Sequence, residues 1–495
     1  MCMLLGLVSS VPASLNRYID TIDMRGRDAF GAYYEVHKDG HVVKEFEKNK
    51  FVKKIRNIDS NVIMCVGRAI PATERYTHKS VYKDTQPFVK GDWVVTHNGL
   101  LHNDVYLEKL YSLKRNTKVD SAIIVELLDH FTQSGYTPQE SVHKVLDEIK
   151  GSFALTIYNT RTKMLVLVTN FMPLYYVHKD NTIFWSSLPY KEISTALDPY
   201  SGILFEYSRG ADIYIAKPFT LKTELDANKV GVICSGGMDS VTALRMYQVL
   251  GYDTTLIHFS YGQAAQMVED YVTTQIANRY GVRKVKLDVR DLFRHFTSVL
   301  LSAKQIPNKD ARLLDAEGTY SYVPARNLIF AAIGLGVCEE LGLGRIVISG
   351  NLDDGGGYPD NNYPFFKYLD YISALSLNQN HKVRFEAPFV HLTKKEILEI
   401  AFTTGTPLHL TASCYYPELT ADGNIIYCGM CGCDKLRVES FKALDYIDPV
   451  KYKAPQRWGR RKSLWKHEQW VERMNNINLR LLREDIPYHT YLDIM

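Results

Sequence analysis

The chain has 495 residues, is 46% hydrophobic and 23% charged, and carries a net charge of +4. At roughly 150 residues per domain this means two or more domains, each with enough apolar material for a core, and it excludes a disordered, collagenous or low-complexity protein. Eight cysteines are too few for a disulfide scaffold, and so small a net charge selects no class of partner.

The opening MCMLLGLVSSVP has a short apolar run and no basic segment before it, which makes a poor secretory signal. No stretch approaches the roughly 18 apolar residues of a membrane span. A soluble, cytoplasmic protein without membrane attachment is expected. Residues 1–215 then read as short β-type runs such as AFGAYYEV, NVIMCVG and SFALTIYN, punctuated by Gly, Asn and Asp. Helical periodicity appears over 104–115, 120–133 and 139–150, the last after Pro138. From Lys229 the grammar changes to strand–helix alternation: KVGVICS, a helix over 239–250, TTLIHFS, a helix over 264–280, KVKLDV, a helix over 325–342, then RIVISG. Such alternation predicts a parallel, doubly wound α/β sheet, preceded here by an α+β domain. The expected boundaries are 1–221, a linker over 222–228, 229–450, and an extension over 451–495.

Cys2 follows the initiator Met. Removal of Met1 would give a thiol with its own α-amine, whose ordinary pKa of about 7.7–8.0 suits it to take the thiol proton. In the second half, the strand VGVIC runs into SGGMDS (235–240) and a helix. Gly236 and Gly237 let the backbone approach an anion, which Ser235, Ser240 and the helix N–H groups can bind; Asp239 is a magnesium-linked or helix-start acid. The loop lacks the Gly-Lys-Ser/Thr ending of a Walker A motif. Further on, Cys414, Cys428, Cys431 and Cys433 are spaced as soft ligands for a structural zinc ion, with Cys433 the expected fourth ligand and Asp434 the second choice. Between Lys451 and Arg483 stand ten Lys/Arg against two acids, together with three of the five tryptophans. This is either an arm that contacts nucleic acid or an amphipathic helix with a solvated basic face.

The runs RGRDAFG (25–31), GRAIPATE (67–74), HNGLLHN (97–103) and Asp120 in VDSAII follow one another as in the class II, N-terminal-nucleophile glutamine amidotransferases, which the first 200 or so residues resemble. The resemblance implies an N-terminal-nucleophile hydrolase sandwich in which Cys2 attacks glutamine and Asn98 with the Gly99 N–H forms the oxyanion hole. Arg68 would grip the α-carboxylate and Asp120 the α-ammonium. One departure is Asn170-Phe171, where that family often has Arg-Asp. Across 229–450, the motifs SGGMDS, SYGQ (260–263), YVPARNLIF (322–330), GNLDDGGGYPD (350–360), APFVHLTKKEI (387–397), SCYYP (413–417) and CGMCGCDKLR (428–437) resemble the 7-cyano-7-deazaguanine synthases, with their pyrophosphatase-type ATP loop. That implies ATP with Mg²⁺, structural Zn²⁺, and Tyr261, Arg326, Asn327, Tyr358 and Asp360 facing base or nucleotide, with Lys394 on the activated phosphate. The family's Cys-Arg-Pro-Glu-Phe after Tyr-Pro-Asp is replaced by NNYPFF (361–366).

Joined, the two halves resemble the archaeosine-synthase-type fusions. These pass glutamine-derived ammonia to a 7-deazaguanine, turning a cyano base, in tRNA or DNA, into its formamidino form. The alternative is ATP-dependent conversion of 7-carboxy-7-deazaguanine to the free cyano base, and a third reading is a non-catalytic nucleotide or deazaguanine binder. Glutamine, a 7-deazaguanine and possible DNA or tRNA contact through the basic extension are the expected partners, and a homo-oligomer the expected assembly.

Overall fold

The computed structural model describes residues 2–36, 39–68, 83–179, 181–207, 214–296, 298, 300–301, 321–355, 358–378 and 380–453. It divides into two compact units: Met1–Glu224 with Ala374–His381, and the remainder from Leu225.

The first unit is built on two antiparallel sheets. In the seven-stranded sheet, Met3–Ala13 lies near the middle, paired with Ser60–Arg68 on one side and Thr182–Ser186 on the other. In the six-stranded sheet, Trp93–Leu101 and Gly151–Asn159 are adjacent and antiparallel. Strand side chains alternate between faces, and here both faces are apolar. Leu4, Val8, Met64 and Val66 from the first sheet and Val94, Ala154, Leu165 and Leu167 from the second form one buried cluster between the sheets. The outer face of the second sheet packs Val95, Leu155 and Val166 against Ile123, Leu127 and Val142 of the helices Ala122–Gln133 and Pro138–Glu148. The outer face of the first covers Leu5, Leu7 and Ile63 with Phe51 and Ile55 of the helix Lys48–Ile55. The result is a layered α/β/β/α sandwich.

The second unit centres on five parallel strands in the order Arg283–Asp288, Asp253–Ser260, Asp226–Ile233, Leu343–Val347 and Arg384–Glu386. The chain order reverses at the first of these to form, Asp226–Ile233. Ligands of open α/β sheets bind beyond the carboxyl ends of strands at such a switch point. The expected helices form over Met238–Val249, Gln266–Tyr280 and Arg326–Glu340. Three more, Tyr363–Ser376, Lys394–Thr404 and Gly432–Ala443, were not read from the sequence. No described helix is long and apolar enough to cross a membrane. Beyond Lys453 the basic extension lies outside the described residues.

Candidate active sites

In the first unit, Cys2 stands half-buried at the start of the strand Met3–Ala13. Its backbone N–H donates to Asn98 Oδ1 at 2.9 Å, joining residues 96 positions apart. Asn98 is completely buried, and its Nδ2 has no hydrogen-bond partner among the described residues. An orphaned amide donor in a protein interior costs free energy unless something arrives to accept from it. Here it sits in the same side chain that holds the Cys2 nitrogen. The next residue, Gly99, runs so close to the neighbouring strand that a Cβ would lie 1.9 Å from the Ser152 carbonyl oxygen. Only glycine fits there.

Asp120 precedes the helix Ala122–Gln133, and its Oδ2 accepts from the Leu101 N–H at 2.7 Å. Ser121 Oγ links it onward, 3.3 Å from Asp120 Oδ1 and 2.7 Å from His97 Nδ1. Burial lowers the His97 pKa against the pull of Asp120, so the ring is neutral at neutral pH. Arg68 ends the strand Ser60–Arg68 with only 6% of its surface exposed. Its neighbour Gly67 explains the RGRDAFG run: Gly26, at φ +67°, approaches Gly67 so closely that a Cβ would lie 2.0 Å from the Gly67 oxygen. That loop also supplies a residue not singled out in the sequence, Arg25, whose Nη1 is buried without a hydrogen-bond partner. Residues 69–74 of the second motif lie outside the described residues.

In the second unit, a cavity of about 240 Å³ opens at the carboxyl ends of the central strands, lined at one end by Ser235, Gly237, Met238, Asp239 and Ser240. Gly236 adopts φ +87°, a conformation open to glycine, and its carbonyl accepts from Ala412 N–H at 2.8 Å. Ser413 Oγ accepts from Met238 N–H at 3.1 Å. Lys394, at the start of its helix, is 5% exposed and pairs with Asp239 Oδ2 at 2.9 Å. Burial works against the Lys394 ammonium, but Asp239 and Asp354 outweigh it and raise its pKa. Asn351 Nδ2 bridges Asp239 and Asp354 at 3.1 and 2.7 Å. Asp239 Oδ1 has no partner.

The other end of the cavity is aromatic. Phe259 and Phe330 stack at 4.2 Å, and Tyr261 meets Phe330 edge-on at 5.3 Å. Arg326 Nη1 lies 3.5 Å from the Tyr261 hydroxyl. Tyr358 contacts Ser321 through its hydroxyl at 2.6 Å and lines the same space, as do Asn327 and Asn361. Asp360 does not line it. Its carboxylate accepts from the Asn327 backbone N–H at 3.1 Å, capping the helix Arg326–Glu340, while Asn327 Nδ2 donates to the Asp360 carbonyl. Glu269, absent from the sequence reading, does line the cavity; burial pushes its pKa up to about 7.

The cysteine cluster also differs from expectation. Cys414, Cys428, Cys431 and Asp434 bring their ligand atoms within 4.8 Å of one another, and Cys433 is not among them. Cys431 is the N-cap of the helix Gly432–Ala443 and Asp434 lies three residues on, so the two share a face while Cys433 is rotated away. Cys433 instead interacts with Tyr415, Lys394 and Asp354. Sulfur atoms of Cys414 and Cys428 accept backbone N–H groups at 3.2–3.4 Å, and Asp434 Oδ1 is buried without a partner. Three thiols and an unsatisfied carboxylate oxygen fit a metal ion.

Comparison with known proteins agrees with both halves. Residues 229–445 match the family model "Queuosine biosynthesis protein QueC" and residues 73–191 match "Glutamine amidotransferase domain". A 7-cyano-7-deazaguanine synthase of Saccharolobus solfataricus is 34% identical over 448 residues, covering 86% of this chain and 93% of that protein. The 7-cyano-7-deazaguanine synthase 2 of Sulfurisphaera tokodaii is 35% identical, with the same coverage. A shorter 7-cyano-7-deazaguanine synthase, from Campylobacter concisus, is 32% identical and is matched over 99% of its length by 46% of this chain. The class is therefore an enzyme that joins a glutamine amidotransferase domain to an ATP-dependent, parallel-sheet domain. The chain belongs to the 7-cyano-7-deazaguanine synthase family, in the form that carries its own amidotransferase domain, and works in 7-deazaguanine biosynthesis.

Proposed function

We propose that the first unit hydrolyses glutamine and that its ammonia is built into the C7 substituent of a 7-deazaguanine bound by the second. With Met1 removed, the Cys2 amine takes the thiol proton and Sγ attacks the glutamine side-chain carbonyl. The oxyanion then meets Asn98 Nδ2 and the Gly99 N–H. The amine returns its proton to the departing nitrogen, and water hydrolyses the thioester. Asn98 thus holds the base through Oδ1 and the oxyanion through Nδ2. Arg68 and Asp120 would bind the α-carboxylate and α-ammonium.

For the acceptor we favour 7-carboxy-7-deazaguanine: a first activation by ATP lets ammonia form the amide, and a second activation carries off the amide oxygen to leave the nitrile. The observation that carries this reading is the complete anion site: the glycine loop, the buried Lys394 and its partner Asp239. A carboxylate needs a leaving group before ammonia can displace an oxygen, and this site would supply it by adenylation. Magnesium would be held by Asp239, whose Oδ1 is open, and would neutralise phosphate charge. The metal at Cys414, Cys428, Cys431 and Asp434 would be zinc with a structural role, because four protein ligands leave no open position.

A second reading is addition of ammonia to a nitrile already present in nucleic acid, giving the formamidine. It is favoured by Asn361, which lines the cavity where the family sequence has cysteine, and by the fused amidotransferase that the short relatives have no length for. It leaves the adenylation site without a task. Glutamine labelled with ¹⁵N in its amide, supplied with and without Mg-ATP, decides between them. Label in a free nitrile only with ATP supports the first reading. Label in a formamidine on nucleic acid overturns it in favour of the second.

A further inference from the structure

We propose that Glu269, held in place by Gln263, reads the guanine edge of the bound base by accepting hydrogen bonds from its N1–H and 2-amino groups. This rests on the reading that a 7-deazaguanine occupies the cavity of the second unit.

Glu269 lies in the first turn of the helix Gln266–Tyr280 and lines the cavity at its aromatic end. Gln263 fixes it: the Gln263 amide oxygen accepts from Tyr261 N–H at 2.9 Å, while its nitrogen donates to the Phe259 carbonyl at 3.2 Å and to Glu269 Oε2 at 2.7 Å. The carboxylate is thereby tied to the end of the strand Asp253–Ser260, whose Phe259 stacks on Phe330. That one bond from Gln263 is the only hydrogen bond the Glu269 side chain makes among the described residues. Flat aromatic rings suit a planar heterocycle, and a carboxylate at their margin suits the edge of one that presents donors.

Two heterocycles are candidates for that end, the deazaguanine and the adenine of ATP, and their edges differ in sign. Guanine offers two adjacent donors, N1–H and the 2-amino group, which a carboxylate can accept as a pair. Adenine offers a lone pair at N1 beside its amino group, so an ionised carboxylate there meets repulsion. Arg326, near Tyr261 on the same wall, is a cation without acceptor capacity and can donate to the O6 carbonyl next to N1. Acceptor and donor together match guanine's edge and mismatch adenine's. Burial of Glu269 disfavours its charge, and two donors from the base would restore it.

The test is equilibrium binding, by calorimetry, of 7-cyano-7-deazaguanine and of its analogue without the 2-amino group, to wild type and Glu269→Gln, with ATP titrated in parallel. Wild type should bind the analogue about 10- to 100-fold more weakly than the parent, the usual range when a hydrogen bond to a charged group is lost. In Glu269→Gln the parent should weaken by a similar factor and the two compounds become nearly equal, while ATP affinity holds. Equal binding of parent and analogue by wild type overturns the inference but leaves the substrate class standing. So does Glu269→Gln keeping the parent while tightening ATP, because a carboxamide complements adenine. Failure of wild type to bind the parent at all overturns both. The analogue comparison needs no variant, so misfolding of Glu269→Gln cannot blur it.

Discussion

Asn98 gives the sharpest test of the glutaminase site, because its two side-chain atoms have opposite effects on the resting protein. Replacing it with Ala deletes the acceptor of the Cys2 N–H bond, a loss of about 1 kcal/mol, and deletes a buried donor whose unmet bond costs about 1–3 kcal/mol. These terms oppose, so the net stability change should be about 2 kcal/mol or less, a shift of at most about 8 °C in Tm for a domain of about 200 residues. Activity should behave differently. The donor is recovered only when an oxyanion forms, so its loss falls on the transition state: about 2.7–4 kcal/mol, or 10²–10³ in kcat. Asn98→Asp keeps size and acceptor but sets a carboxylate against the oxyanion, and it should lose at least as much. The assay is ammonia release from glutamine with kcat and KM separated, beside a thermal melt. Either variant keeping more than a tenth of wild-type kcat, or losing activity through KM alone, would refute the assignment.

Other expectations can be checked directly. Lys394→Met strips Asp239 of its buried counter-charge and should reduce ATP-dependent pyrophosphate release by about 10²-fold or more; unchanged release from a folded variant would remove Lys394 from the chemistry. Elemental analysis should find one metal per chain in wild type and in Cys433→Ser, but not in Asp434→Ala or Cys431→Ser; the opposite result for 433 and 434 would restore Cys433 as ligand. His258 is fully buried with Nδ1 3.1 Å from the Cys234 carbonyl, its Nε2 is without a partner, and burial lowers its pKa to about 4. The unfolded chain, titrating near 6.5, therefore takes up the proton first. His258 should cost the second unit up to about 3 kcal/mol as pH falls from about 6.5 to 4. In urea melts across that window, the stability of wild type relative to His258→Gln should fall by that amount as pH drops from about 6.5 to 4; parallel curves would contradict this.

The fold class was legible because the two halves use different periodicities. Alternating strands and helices after Lys229 leave few topologies, and the motif order pointed to the same families that comparison found. The helix Lys48–Ile55 was harder to see: half of KNKFVKKI is lysine, and only Phe51, Val52 and Ile55 mark its buried side. The fourth member of the cysteine cluster shows a different limit. Spacing counts residues along the chain, whereas ligand direction depends on where the helix begins, and Cys431 as N-cap turns Asp434 inward in place of Cys433. Asp360 carries a similar ambiguity, since a carboxylate near a helix start serves either ligand or cap, and here it accepts from the Asn327 N–H. Glu269 had no local signal at all; its importance comes from burial and from Gln263, which only the folded chain brings to it.

The stretch from Thr411 to Cys414 belongs to two structures at once. Thr411 accepts from the Tyr427 hydroxyl through its carbonyl, Ala412 and Ser413 grip the Gly236–Met238 turn from behind, and Cys414 enters the thiol cluster. The loop that would cradle phosphate therefore has a party wall with the thiol cluster. Oxidising or stripping the thiols would be felt first as slack in that wall, so nucleotide affinity would fade before the unit unfolds. Damage to the thiol cluster would reach this enzyme as a weaker hold on its energy source, while the amidotransferase fold, built on its own sheets, would remain whole.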